Sequence, residues 1–316
     1  MYPDANVDWN ERLSMSREPI EAVLESALSS YQLRVEIITS ARYCGDWVDH
    51  EPETARGQFH LIEEGLCLVS GSCMRRPIIL SPGDFIVFPR GSAHRLSACP
   101  HTTDEALRAG DVTTILCGEL QFISGQRNPI FAALPDYFVV QDVTGGGIFR
   151  SLARSLTSIS SSGSFGHQVV RNKLADSLFT MAVLDYARHA GDAKGIFAAL
   201  ADRRIALALS AIHSNPGHNW SLHALASIAM MSRNSFAGRF SELMGLPPMQ
   251  YLAHWRVTEA QRLLQDRSIS VATIAETLGY QTEPGFRRFF KRIAGIGPGE
   301  ARAQGRRTAA PESLDQ

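Results

Sequence analysis

The sequence predicts an α+β chain of several domains. Its front half is a set of short β-strands closed into a sandwich or barrel, and its rear half is an all-α module of two helix-turn-helix units. Three observations carry this. From Leu33 to Leu116 short β-type runs alternate with Gly and Pro turns, which is the texture of a sandwich or barrel. From Trp220 to Arg302 one helical pattern occurs twice, with a linking helix between the copies. The formal net charge of -1 conceals an uneven distribution: 14 Lys and Arg stand against 9 Asp and Glu from Ala201 onward, and 17 against 23 before it. A length of 316 residues is long for one core, and 44% hydrophobic with 20% charged residues is a globular composition.

In chain order, Ile20, Val23, Leu24, Ala27 and Leu28 fall at helical spacing after Ser16 and Pro19 and predict a short helix. The acidic beginning, Met1 to Asp8, is unlike a signal peptide, and no apolar run reaches the ~18 residues of a membrane span. Five cysteines without a Cys-x-x-Cys pair predict reduced thiols and a cytoplasmic location. Strands are expected at Leu33–Ile38, Gln58–Ile62, Leu66–Val69, Pro77–Leu80, Phe85–Phe88 and Val112–Leu116. Pro100 to Gly110 is polar and unpatterned and reads as a loop.

Two amphipathic helices follow, one through Ile148, Phe149, Leu152 and Leu156 and one from Val169 to Leu184, with a linker at Ser158–Ser164. They suit dimerisation, or alternatively closure of the barrel core. Ala190–Gly195 reads as a hinge, and Asp202 as the cap of the next helix.

In the first helix-turn-helix, Leu222, Leu225, Ala226 and Ile228 give one helical stripe, and Phe236, Phe240 and Leu243 give the next, with Ser232 as its cap. In the second, Ser270 caps one helix, Gly279 ends it in a left-handed conformation, and Thr282 caps the following one, where Pro284 is tolerated in the first turn. That last helix interleaves Phe286, Phe289 and Phe290 with Arg287, Arg288, Lys291 and Arg292, so one face is core and the other cationic.

The residues Leu225-Ala226, Met231-Ser232, Phe236, Arg239-Phe240, Gly245, Pro248–Leu252, Arg256, Ile274-Ala275, Gly279-Tyr280, Phe286, Arg288, Phe290-Lys291, Gly295 and Pro298 resemble the DNA-binding domain of the AraC/XylS family of bacterial transcription regulators. The resemblance implies that each unit's second helix enters a major groove while the linking helix fixes their separation. Carried over by position, the DNA-contacting residues are Arg233, Asn234 and Arg239 in the first unit and Thr282, Glu283, Arg287, Arg288, Lys291 and Arg292 in the second. Arg and Asn suit paired bonds to guanine and adenine edges, whereas Lys291 and Arg292 suit phosphate. Gly238 and Ala301 depart from the family pattern, weakening base reading by the first unit and packing of the last helix. His213, His218 and His223 read as ordinary structural residues.

The stretch Gly83-Asp-Phe-Ile-Val-Phe-Pro89-Arg-Gly91-Ser-Ala-His94 resembles the second motif of the cupin superfamily, a small jelly-roll barrel, with Ala98 in place of its closing asparagine. His60, Glu64 and Gly71 fit the latter part of the first motif, where Gln58 replaces its first histidine. The implied pocket residues are Gln58, His60, Glu64 and His94, and the implied ligands for a divalent metal are His60, Glu64 and His94. A dry or organic-ligand pocket is the other reading of the same barrel. Cys44 and Cys117 are the candidates for a thiol switch, and Cys67 and Cys73 flank a hairpin that could bring them together.

The expected organisation is a cupin-like sensory domain over 1–140, a helical connector over 141–196, a double helix-turn-helix over 197–305 and a disordered tail over 306–316. The resemblance implies a non-enzymatic regulator, in the activating sense common in the family, with double-stranded promoter DNA, a small-molecule effector, a second copy of the chain and RNA polymerase as partners. Two alternatives stay open: a regulator switched by oxidation of Cys44 and Cys117, and a metal-dependent cupin enzyme fused to a DNA-binding domain.

Overall fold

The computed structural model describes residues 23–24, 26–28, 33–99, 112–122, 129–141, 146–160, 167–189 and 195–309. The Pro100–Gly110 loop, most of the hinge before Gly195, and the chain beyond Ala309 lie outside them. Residues 33–122 and 134–191 form one unit, and residues 1–32, 123–133 and 192–316 the other.

The first unit is a two-sheet β-structure. Its strands are β1 (Leu33–Cys44), β2 (Val48–Glu51), β3 (Gly57–Glu64), β4 (Cys67–Gly71), β5 (Ile78–Leu80), β6 (Phe85–Phe88), β7 (His94–Ala98), β8 (Val112–Phe122) and β9 (Phe138–Val140). A five-stranded sheet runs in the order β1-β8-β3-β6-β9, and a four-stranded sheet in the order β2-β7-β4-β5. All pairings are antiparallel. Each expected strand is present; β2, β7 and β9 are additional.

Between the sheets lie Ile62, Cys67, Val69, Leu80, Ile86, Phe88, Leu96, Ile115 and Cys117. The opposite face of the larger sheet is covered by helices. Phe59 and Phe85 alternate with these inner residues, and Phe85 meets Phe149 edge-on at 6.1 Å. β6 is thus buried on both faces and reads as a continuous apolar run, and β3 is buried from Gly57 to Ile62 although Gln58 and His60 interrupt its apolar residues.

The covering helices are those after the barrel: Gly146–Ser160 and His167–His189. Phe149, Ala153, Leu156, Leu178, Phe179, Ala182 and Val183 are buried along them, whereas Ile148, Val169 and Val170 are exposed. The helices therefore close the core, and the connector expected at 141–196 belongs largely with the barrel. Gln168 and Asn172 bond the backbone of Ile37 at the bulge of β1, covering part of an edge strand.

The second unit is helical. With Pro129–Ala133 as α1 and the two barrel helices as α2 and α3, its remaining helices are α4 (Ile196–Ala201), α5 (Arg203–Ser214), α6 (Leu222–Ile228), α7 (Arg233–Met244), α8 (Pro248–Leu263), α9 (Val271–Thr277), α10 (Glu283–Ala294) and α11 (Pro298–Ala309). The last runs to Ala309, and the rest of the expected tail lies outside the described residues. No helix among the described residues is long and apolar enough to cross a membrane.

The duplication is visible in local geometry. Ser221 and Ser270 accept from the amides of Ala224 and Thr273, and Ser232 and Thr282 from those of Ser235 and Gly285. Met230 and Gly279 occupy the same left-handed position after the first helix of each copy, at φ 52 and 80. Gly245 and Gly295 end the second helices with φ 72 and 83. The copies lie 49 residues apart at Ser221 and Ser270 and 50 apart at Ser232 and Thr282, so one residue has been added in the second turn.

Candidate functional site

The helical unit presents α7 and α10 as the second helices of its two copies. Phe236 and Phe240 anchor α7, and Phe286 and Phe290 anchor α10, all fully buried. This i, i+4 pairing aims the other face of each helix outward.

On α7, Arg233 and Asn234 are exposed in the first turn. Arg239 is drawn back into the unit instead: its Nε donates to Asp202 at 2.8 Å and its Nη1 to Glu242 at 3.0 Å. Asp202 also caps α5, so Arg239 braces two helices. A Cβ on Gly238 would meet nothing within 4 Å, leaving a bare spot on the outward face.

On α10, Arg287 donates through Nε to Glu283 at 2.7 Å and pairs with it through Nη2 at 2.6 Å. Arg288, Lys291 and Arg292 are exposed, and Arg292 lies over the Phe289 ring at 5.8 Å. No ion pair holds Arg233, Arg288 or Lys291 among the described residues. Thr282 uses its hydroxyl as the cap.

The two halves are locked together. Arg256 of α8 donates to the carbonyls of Pro216 and His218 at 2.7 and 2.9 Å and lies 5.6 Å over the Tyr280 ring. A Cβ on Gly279 would stand 2.1 Å from the Gly217 carbonyl oxygen, so the loop before the first unit touches the turn of the second backbone to backbone. Arg302 ties α11 to the carbonyls of Leu264 and Ile269 at 3.2 and 2.7 Å, and Ala301 packs on the same core.

The barrel holds the second candidate site. The register sets His60 opposite Cys117 on neighbouring strands, and Gly71 and Glu51 opposite His94 in the other sheet. Across the core, His60 Nε2 and His94 Nε2 are 2.7 Å apart, His60 Nδ1 is 3.1 Å from Cys117 Sγ, and His94 Nδ1 is 2.8 Å from the Ser92 carbonyl oxygen. Phe88 stacks on His94 at 3.7 Å.

The direction of this chain follows from its end. A carbonyl only accepts, so His94 Nδ1 carries hydrogen. Burial lowers the pKa of both histidines, that of His60 well below its ordinary value, and both are neutral. His94 Nε2 therefore accepts, His60 Nε2 donates, and His60 Nδ1 accepts the Cys117 thiol proton. Burial first, and then the charges of Glu51 and Asp49, push the Cys117 thiol up, which keeps it protonated.

Beside this chain, Gln58 Nε2 donates to Glu51 at 3.1 Å and Tyr43 donates to Asp49 at 2.5 Å. Tyr43 stacks on Trp47 at 4.1 Å. Burial and the neighbouring Asp49 raise the pKa of Glu51.

Gln58, His60 and His94 are thus brought together. Glu64 is not: it is exposed beyond a bulge between Ile62 and Glu64, and accepts from Thr114 at 3.4 Å. Two imidazole nitrogens on one tetrahedral ion stand roughly 3.3 Å apart for bonds of about 2.05 Å, farther than these two that share a proton. No group of three or more His, Cys, Asp or Glu among the described residues is arranged to hold a metal. The residues present do not fit a cupin metal centre. Cys44 is exposed and Cys117 buried, and all five cysteines are free, including Cys67 and Cys73.

Sequence reasoning missed Tyr43, Trp47, Asp49, Glu51 and Ser92. The alternation in Val48-Asp-His-Glu51 was available as a pattern, but its inward residues are the acidic ones, the reverse of the usual sign.

Comparison with known proteins adds the following. Residues 22–187 match the family model described as cupin, and residues 225–304 that described as helix-turn-helix domain. The chain is 30% identical, over 73% of its length and 78% of the relative's, to the RCS-specific HTH-type transcriptional activator RclR of Escherichia coli strain K12. It is 29% identical, over 90% of its length and 98% of the relative's, to a putative AraC-like transcription regulator of Streptomyces antibioticus. A crystal structure of unsaturated fatty acid bound ToxT from Vibrio cholerae aligns over 87% of this chain and 95% of that one, at 10% identity and a TM-score of 0.36.

Proposed function

We infer that this chain, which belongs to the AraC-like family of DNA-binding transcription regulators with a cupin ligand-binding domain, activates transcription when a small molecule occupies its barrel. It works in the cytoplasm, as a homodimer, on double-stranded promoter DNA and with RNA polymerase. The observation that carries the DNA-reading part is the rigid pairing of α7 and α10, whose cationic faces are held at fixed separation by α8, Arg256 and the Gly217–Gly279 contact.

In this reading Arg233, Asn234 and the Glu283–Arg287 pair read bases, while Arg288, Lys291 and Arg292 hold phosphates. The bare Gly238 and the bracing role of Arg239 support leaving most of the electrostatic affinity to the second unit. The exposed Ile148, Val169 and Val170 support a dimer formed through the helices that cover the barrel. A ligand acts by binding one arrangement of the protein more tightly than another, thereby shifting the population that engages the promoter.

The test is binding of the purified protein to its own upstream DNA by mobility shift at several salt concentrations, followed by in vitro transcription with RNA polymerase. Affinity should fall linearly on a log-log plot against salt, since phosphate contacts release counterions, and transcript should rise when the protein is added. Salt-insensitive binding would overturn the DNA-reading assignment, and a fall in transcript would overturn the activating sense.

A further inference from the structure

We propose that the barrel binds an organic ammonium ion between Asp49, Glu51 and the carboxamide oxygen of Gln58, with Tyr43 and Trp47 as its aromatic wall. The proposal rests on the reading that the barrel takes a small molecule, and it names the class of that molecule.

The argument is a balance of donors and acceptors. The protons in this region are directed inward: Cys117 to His60, His60 to His94, His94 to the Ser92 carbonyl, and Tyr43 to Asp49. The histidines consequently offer no donor to a ligand. Gln58 gives its amide to Glu51, which places the carboxamide head at the acidic pair. Its Oε1 is buried without a hydrogen-bond partner, and the residue is only 7% exposed. A buried acceptor left unsatisfied is costly, and a matching donor relieves that cost.

The carboxylates have the same deficit. Asp49 and Glu51 lie on one face of β2, which pairs with the strand carrying His94. Neither is held by Lys or Arg among the described residues, whereas Arg56 pairs with Glu119 and Arg90 with Asp136. Burial first, and then the charge of Asp49, raises the Glu51 pKa, and a cation seated between the two carboxylates would offset that charge. Asp49, Glu51, Tyr43 and Trp47 are all partly exposed and so within reach of solvent. A stacked Tyr–Trp pair beside two carboxylates favours a cation with an organic body over a bare ion, through the attraction between positive charge and aromatic faces.

The experiment uses the full chain and three probes of one shape: benzylammonium, benzyl alcohol and benzoate, with magnesium chloride as the inorganic cation. By titration calorimetry, benzylammonium should bind at least ten-fold more tightly than the alcohol or benzoate. Its affinity should fall at least ten-fold in both Glu51→Gln and Asp49→Asn, with circular dichroism and melting temperature showing that the variants are folded. Equal binding of benzyl alcohol, binding unchanged in both variants, no detectable binding, or magnesium displacing the ammonium ion would each overturn the proposal. A mobility shift with and without benzylammonium separates it from the sensor reading. Binding that leaves DNA affinity untouched retains the ammonium site and removes the sensor. A DNA response that persists in both variants removes the ammonium site and retains the sensor.

Discussion

His60 is held between a thiol that gives it a proton and a second imidazole that takes one from it. Removing either neighbour strands a buried nitrogen. Cys117→Ala should cost about 1–3 kcal/mol of stability, the usual penalty for an unsatisfied buried polar group, whereas Cys117→Ser keeps a donor and should cost less. Urea denaturation of the two variants checks this, and equal losses would contradict the hydrogen bond between Cys117 and His60. Because Cys117 is buried and kept as a thiol, iodoacetamide should label it far more slowly than the exposed Cys44, as read by peptide mass spectrometry. The thiol-switch alternative, which oxidises both Cys44 and Cys117, needs the two to react at comparable rates.

His213 makes a related point in the helical unit. It is buried against Trp255 at 3.7 Å and bonded to Tyr251 at 2.6 Å, and burial pushes its pKa down to about 3. The folded chain holds it neutral while the unfolded chain takes up a proton below about 6.5, so stability falls as pH drops through the window from about 6.5 to about 3. The slope from this residue approaches about 1.4 kcal/mol per pH unit. Denaturation at pH 7 and pH 5 should show it, and His213→Phe should flatten the dependence by about one proton; an unchanged slope would refute the assignment.

At the scale of elements, the four caps and the Gly279 terminator were legible because each depends on a few adjacent residues. Ser232, Ser270, Thr282 and Asp202 all cap where their spacing indicates. Gly279 and Gly295 share a left-handed backbone but differ in surroundings. Gly295→Ala should cost about 1–2 kcal/mol for the conformation alone. Gly279→Ala should cost clearly more, because its Cβ would also stand 2.1 Å from the Gly217 carbonyl oxygen. Thermal melts of the two variants compare them directly.

The reading helices separate in the same way. Arg288→Ala and Lys291→Ala should each reduce the salt slope of DNA binding by about 1. Arg239→Ala should leave that slope unchanged, since both its bonded edges face Asp202 and Glu242. Its role was not legible because Asp202 lies 37 residues upstream and meets Arg239 only through the tertiary fold.

Across the whole chain, the sequence was most informative where a pattern repeats and least where two sheets meet. The double helix-turn-helix and the strand texture follow from local periodicity. The barrel site does not, because β2 turns acidic residues inward and because the bulge after Ile62 carries Glu64 away from His60. The helices over 146–189 illustrate the middle ground: amphipathicity identified them, but only the contact of Phe149 with Phe85 shows what their buried face covers.

The backbone contact of Gly217 with Gly279 also constrains the grammar of any operator this protein reads. Two readers on a loose tether would tolerate a spacer of about one helical turn, since 10–10.5 added base pairs restore the same face of the duplex. A single stiff key with two teeth cannot follow its second groove when that groove is moved. Operators lengthened at their centre by about 5 or about 10 base pairs should therefore fail alike.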